Sequence, residues 1–211
     1  MVKIFVEGGG NNNTYLKSQC HKAFKSFFEK AGLDNRLPRV IASGGRTNAY
    51  YDFCKSVKNK ENAFLLIDSE DIINDRFDIG NNNNQDGSPW EHLNNTRENR
   101  LTKPTGVSDK QCHLMVTSME TWLLADVNAL SKYFGKNFNT ASLPRHNNLE
   151  RIDKNNVLDA INKAAKDTVK KKYEKGRDSF CILGMIDPAL VQEKSPWAKR
   201  LIKTLLANTT T

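Results

Sequence analysis

The chain has 211 residues, with 32 Lys and Arg against 24 Asp and Glu, a formal charge of +8 and a calculated pI near 9.3. That length fits one sizeable domain with a core that needs no staples, and the positive balance makes a polyanion a reasonable partner. Four scattered cysteines with no C-x-x-C pair exclude a zinc ribbon and a disulfide framework, and no apolar leader or membrane-length apolar run is present, so a cytoplasmic protein without membrane association is expected.

In chain order, the apolar run Val2, Ile4, Phe5, Val6 predicts a strand that ends at Glu7 and Gly8-Gly9-Gly10. Glycine carries no Cβ, so this loop can bring backbone close to a ligand where Glu7 is presented. Leu16, Cys20, Ala23, Phe24, Phe27, Phe28 and Ala31 recur at spacings of three and four and predict an amphipathic helix, with Thr14 as its cap and Gly32 at its end. The glycine loop therefore opens onto a helix N-terminus, a place that favours anions. No Walker lysine follows in Asn11-Asn12-Asn13, so a nucleoside triphosphate is not the expected ligand. Arg39 to Ala42 predict a second strand, closed by Ser43-Gly44-Gly45-Arg46, and Ala49, Tyr50, Phe53, Cys54 and Val57 a second helix. The continuous apolar run Ala63 to Ile67 reads as a strand buried on both faces, stopping at Asp68-Ser69-Glu70-Asp71.

Residues 74–110 form a long polar excursion, including the tract Asn81 to Asn84, with one short helical turn at Pro89 to Leu93. His113 to Val116 predict a fourth strand and Met119 to Asp126 an amphipathic helix, followed by a helical segment through Leu130, Tyr133 and Phe134 closed by Gly135. Residues 146–211 are mainly helical, with stripes at Val157 to Ala165, Phe180 to Ile186 and Trp197 to Leu206, and with a basic run from Lys166 to Arg177 at helical spacing that suits backbone phosphate contact or solubility alone. Strands in the first half and helices throughout predict a single α/β domain over residues 1–211, a Rossmann-like parallel sheet flanked by helices with a helical C-terminal part.

In open α/β sheets ligands sit outside the carboxyl ends of the strands, where Glu7, Asp68 and Glu70 fall. If the chain stays extended, residues 68 and 70 point the same way and Ser69 points away. Paired carboxylates are what a hard cation such as Mg2+ or Mn2+ takes as ligands, sharing its other positions with water and substrate phosphate. Each acid taken singly also suits a turn or helix cap.

The segments Val6-Glu7-Gly8-Gly9-Gly10 and Leu65-Leu66-Ile67-Asp68-Ser69-Glu70 resemble the Toprim domain of topoisomerases, primases and related nucleases. Over almost the whole chain, through VIASGGRTNAYYDF (40–53), QCHLMVTSMETWLLAD (111–126) and SPWAKR (195–200), the sequence is similar to a Toprim-like family known as domain of unknown function 4276. That resemblance implies a Mg2+-dependent nuclease acting on RNA, including tRNA, or on DNA, the effector of an abortive-infection antiphage system with an ABC-type ATPase partner. It implies Glu7 as proton-handling or metal-facing residue and Asp68 and Glu70 as metal ligands, with D-x-E where the family pattern is D-x-D. It adds Glu120 as a further metal candidate, against an exposed or capping role. The alternative is a non-catalytic regulatory or nucleic-acid-binding subunit of an ATPase complex.

Gly8, Gly9, Arg46, Lys199 and Arg200 are the candidate phosphate or nucleic-acid contacts. Guanidinium clamps phosphate bidentately, although Arg46 also suits an ion pair with Asp52 and the basic pair a solvated helix face. His92 and His113 have no partner at ligand spacing; His113 reads as a core or edge histidine, and Trp90, Trp122 and Trp197 as core anchors. No coiled-coil pattern fixes an oligomeric state, and a homodimer stays open.

Overall fold

The computed structural model describes residues 1–80, 85–96 and 100–208, so the tract Asn81 to Asn84 lies outside the described residues. A single four-stranded, wholly parallel sheet is built from β1 (Lys3–Glu7), β2 (Arg39–Gly44), β3 (Ala63–Asp68) and β4 (Cys112–Met115), in the order β2-β1-β3-β4. β2 lies on one side of β1 and β3 on the other, so the chain reverses direction across the sheet at the β1/β3 pair. That is the switch point at which a crevice opens beyond the strand ends.

Both faces of the sheet are covered, which is why the strands read as unbroken apolar runs. Ile4, Val6, Phe64 and Leu66 join one core with Phe24 and Phe27 of α1 (Thr14–Phe28), while Phe5, Leu65 and Ile67 join the opposite core with Ala49 and Phe53 of α2 (Arg46–Lys58). The cap of α1 is Asn13, whose Oδ1 accepts from the Leu16 amide at 2.9 Å, and Thr14 is the first helical residue. A five-residue π turn, Glu29–Leu33, follows and contains Gly32 at φ 89°, the left-handed residue expected there.

Within the excursion, α3 (Pro89–Asn95) docks by burying Trp90 and Leu93, so the short helical turn forms as expected. The predicted helix over Met119 to Asp126 is instead one short turn, α4 (Glu120–Leu123), and Asp126 turns its carboxylate to the Ala129 amide to start α5 (Val127–Phe134). An Asp that caps the next helix cannot also continue the previous one. Gly135 closes α5 at φ 77°.

The C-terminal part supplies α6 (Lys154–Ala165), α7 (Arg177–Leu183), α8 (Pro188–Lys194) and α9 (Pro196–Asn208). The basic run is not helical as its spacing suggested. Thr168 ends α6 by donating to the Ala165 carbonyl at 2.7 Å, and the chain then turns through Lys171 at φ 62°. Helix α9 packs on the exposed edge of β4, where Arg200 donates to the Cys112 carbonyl at 2.8 Å and so satisfies an edge-strand acceptor. Among the described residues no helix is long and apolar enough to cross a membrane.

Glu150 ties this helical part together. Its Oε1 accepts from the Trp197 amide at 2.9 Å and from the Ser195 hydroxyl, while burial pushes its carboxyl up to about 7 against those two hydrogen bonds. The fold thus favours the protonated acid, so its stabilisation is complete below the ordinary carboxylate range and is lost as pH rises through about 7. Chemical denaturation between pH 5 and 8 is expected to show this loss, about 3 kcal/mol in total by linkage, and Glu150→Gln is expected to flatten it.

Candidate active site

The C-terminal ends of β1 and β3 carry Glu7 and Asp68 side by side. The β1–β2 register slips between Val6 and Glu7, an irregularity of the kind that re-aims a side chain, and Glu7 Oε2 then accepts from the Asp68 amide at 3.1 Å. Asp68 Oδ1 in turn accepts from the Met119 amide at 2.9 Å.

Glu70 arrives by a different route from the one its spacing suggested. The strand stops at Asp68, and Glu70 sits in left-handed backbone at φ 69°, so extended alternation does not aim it. The pin is Ser69, expected only to face away. Its amide donates to the Met115 carbonyl (3.0 Å), its hydroxyl donates to the Asp71 carbonyl (2.6 Å) and accepts from the Thr117 amide (2.7 Å). Thr117 is itself left-handed at φ 58°, and two strained non-glycine residues flanking one site are the sort of local cost that a functional geometry retains. One oxygen from each of Glu7, Asp68 and Glu70 lies within 4.8 Å of the others, so the three acids converge as expected.

Glu7 and Asp68 line a cavity of about 370 Å³ together with Gly8, Gly9, Gly10, Gly44, Glu120, Lys175 and Phe180, and Glu70 reaches the two acids from beside it. Gly9 has φ 87° and lies so close to α1 that a Cβ would fall 2.7 Å from the Lys17 Cα, which makes it a packing necessity. Gly8 exchanges two backbone hydrogen bonds with Gly44, at 2.7 and 3.0 Å, so its amide is occupied by the fold. What the glycine loop provides is a thin wall, with its Gly8 donor turned to β2.

Glu120 belongs to this site, and the exposed or capping role is set aside. It is 1% exposed; Oε1 accepts from the Tyr173 hydroxyl (3.0 Å) and the Ser179 hydroxyl (3.2 Å), and Oε2 is buried with no hydrogen-bond partner. Lys175 Nζ stands 4.0 Å from that oxygen. Glu120 lies outside the tight group of three, one step further along the same cavity.

The electrostatics are those of crowded anions out of water. Burial raises the Glu7 carboxyl, opposed by the Asp68 amide and reinforced by the charge of Glu70. Burial also raises Asp68, well above the usual carboxylate range, with the charges of Glu7 and Glu120 adding to it. Lys154, from the first turn of α6, donates to Glu70 Oε2 at 2.5 Å. Burial works against its charge, but that hydrogen bond and the acids Asp68, Glu70 and Glu120 hold its ammonium above the usual lysine range.

Three basic candidates are placed elsewhere. Arg46 is buried behind the strand end, where Nη1 donates to the Asp68 carbonyl at 2.8 Å; it braces the backbone that carries Asp68 and does not line the cavity. Arg200 and Lys199 are corrected outright. The Cys112 carbonyl that Arg200 binds is at the N-terminal end of β4, and the guanidinium also meets His113 Nδ1 (3.0 Å) and the Asp109 carbonyl (2.7 Å), so α9 holds this pair at the opposite end of the sheet from the acids. His113 is buried, as expected of a core histidine, and His92 is buried as well.

A family model, Domain of unknown function (DUF4276), matches residues 6–206. The chain belongs to this family. No curated protein and no solved structure matches it. In this DUF4276 chain the matched span includes every acid and lysine of the cavity. Lys175 falls in the basic run that the sequence marks as a candidate for phosphate contact, whereas Lys154, Tyr173 and Ser179 escape sequence reasoning because they approach from helices and loops more than 50 residues beyond β3, with no local motif to mark them.

Proposed function

We propose that this protein is a Mg2+- or Mn2+-dependent phosphodiesterase of Toprim type that cuts RNA or DNA, and that it serves as the effector of an antiphage system beside an ABC-type ATPase. The observation that carries the chemistry is the convergence of three carboxylates at the β1/β3 switch point within 4.8 Å, together with a buried carboxylate oxygen of Glu120 that accepts no hydrogen bond, in the cavity that Glu7 and Asp68 line. A donor set of carboxylate oxygens fits a hard divalent cation, and crowded buried acids whose carboxyls are raised by burial and by one another call for positive charge. Glu7, Asp68 and Glu70 would hold the ion, which supplies charge neutralisation at a phosphoryl oxygen when bound.

The chain's own residues do the remaining work. Glu7, kept partly protonatable by burial, is placed to take a proton from the attacking water or return one to the departing oxygen. Lys154 beside Glu70 and Lys175 beside Glu120 bring positive charge next to the acids, where it would meet the charge of a phosphate. Arg46 fixes the Asp68 backbone and acts as a positioning residue.

A second reading, a non-catalytic nucleic-acid-binding or regulatory subunit, draws on the ion pair that already engages Glu70 through Lys154. Purified protein incubated with labelled single-stranded DNA, duplex DNA and tRNA separates the two. Cutting that requires Mg2+ or Mn2+ and stops with chelator is the expected result; intact substrate in every metal condition rejects the nuclease.

A further inference from the structure

Two acids of this site, Asp68 and Glu120, are recessed, while Glu70 and its partner Lys154 stand nearer the surface. Asp68 is 6% exposed and Glu120 1%, both at the depth of a cavity whose apolar side is formed by Leu16 and Phe180. Lys175, just before α7, lines that cavity, Lys154 at the start of α6 pairs with Glu70 beside it, and Lys17 of α1 packs against Gly9 of its wall. Lys175 continues into the loop of residues 166–176, whose lysines are all exposed. The loop is not loose. Thr168 anchors its start on the Ala165 carbonyl, and buried Tyr173 anchors its end on Glu120; between the two, Lys171 and Lys172 are exposed and Lys170 lies over the Tyr133 ring at 4.5 Å.

We propose, building on the nuclease reading, that the substrate is a single-stranded nucleic acid whose backbone runs along the loop of residues 166–176 and lowers one phosphate into the acid cavity. A duplex is a stiff rod that keeps its phosphates on a convex surface, and such a surface cannot deliver one to carboxylates at the depth of a cavity of about 370 Å³. A single strand bends at each nucleotide, tracks cationic side chains through its phosphates and rests bases on apolar side chains, here half-buried Leu16 on the cavity wall. The site offers those parts: exposed lysines on the loop, Lys175 on the cavity wall, an apolar side and the acids.

The test uses full-length Asp68→Asn protein as a binding trap, with a labelled single strand of DNA or RNA and the same sequence annealed as a duplex. The single strand is expected to bind at least about tenfold more tightly than the duplex, the worth of one stacked base. Adding Lys171→Gln and Lys172→Gln, which leave the cavity lining intact, is expected to reduce the slope of log affinity against log salt by about 1.4, at about 0.7 per lost single-strand phosphate contact. Duplex binding that is equal or tighter, an unchanged salt slope, or no binding of either form overturns the proposal. The nuclease reading fails separately: if the trap shows this preference while wild-type protein cuts nothing, the chemistry is wrong and the binding surface stands. Cutting of duplex in preference to single strand leaves the chemistry and removes the surface.

Discussion

Asp68→Asn is expected to abolish metal-dependent cleavage while making the metal-free protein more stable. The two effects have opposite signs and one cause. Asp68 is fully buried among Glu7 and Glu120, and both burial and those charges oppose its ionised form. Asparagine has the same shape and keeps an oxygen to accept from the Met119 amide, now at 2.9 Å, but it brings no charge. Removing a like charge from a buried cluster relieves the folded state, and each kcal/mol relieved raises the melting temperature of a domain of this size by about 2–4 °C. For catalysis the same substitution removes a central ligand. Outer-shell partners of metal ligands are already worth about 10- to 100-fold, so a loss beyond about 100-fold in cleavage rate is expected. A thermal melt in chelator and a cleavage time course on the same preparation check both halves. A variant that loses stability without losing activity contradicts the assignment of Asp68 as a strained functional acid.

Much of this site was legible in the sequence because it is made from strand ends. Apolar runs stop where strands stop, and in a parallel sheet those stops gather at one edge, so Glu7 and Asp68 could be paired across 61 residues of chain without coordinates. Glu70 was placed correctly on a mistaken local geometry: alternation predicts its direction only while the chain stays extended, and Ser69 ends that by bonding Met115, Asp71 and Thr117 at once. The helical boundaries between Met119 and Phe134 were blurred for a related reason, since an apolar periodicity does not register that Asp126 is better used as a cap.

The cations were the poorly legible part. Lysine and arginine on helices carry no period that tells which end of a sheet they approach, because that depends on how the C-terminal helices pack on one another. Lys199 and Arg200, adjacent to an aromatic and a proline, looked site-like, yet α9 lies along the β4 edge and directs Arg200 to the Cys112 carbonyl. Lys154, which does reach the acids, sits in a stretch whose only sequence feature is a helix start capped by Asp153. The same packing brings Tyr173 and Ser179 onto Glu120, a contact between residues more than 50 positions apart.

Divalent cation is expected to stabilise the protein, and the gain is expected to grow as pH rises. In the absence of metal, Glu7 and Asp68 have carboxyls raised in the folded state, so folding takes up protons relative to the unfolded chain. Their contribution to stability is complete below the ordinary carboxylate range and is lost as pH climbs through their folded values, which gives the metal-free protein a falling stability curve in that window. A cation binds the deprotonated cluster and competes with those protons, so it restores stability where the protons have left. At a hundredfold excess over its dissociation constant a ligand specific to the folded state contributes about 2.7 kcal/mol, which for a chain of this length is a rise of about 5–10 °C in melting temperature. Lys154 sets the counter-argument, because an ammonium already paired with Glu70 at 2.5 Å must yield part of that contact when a second cation enters. Melting curves with Mg2+, Mn2+ and chelator at pH 5.5 and 8 decide between them. A metal shift that is larger at the higher pH and absent in Asp68→Asn supports a cation held by the three acids; a shift that is independent of pH, or that survives the substitution, places the ion elsewhere on the molecule.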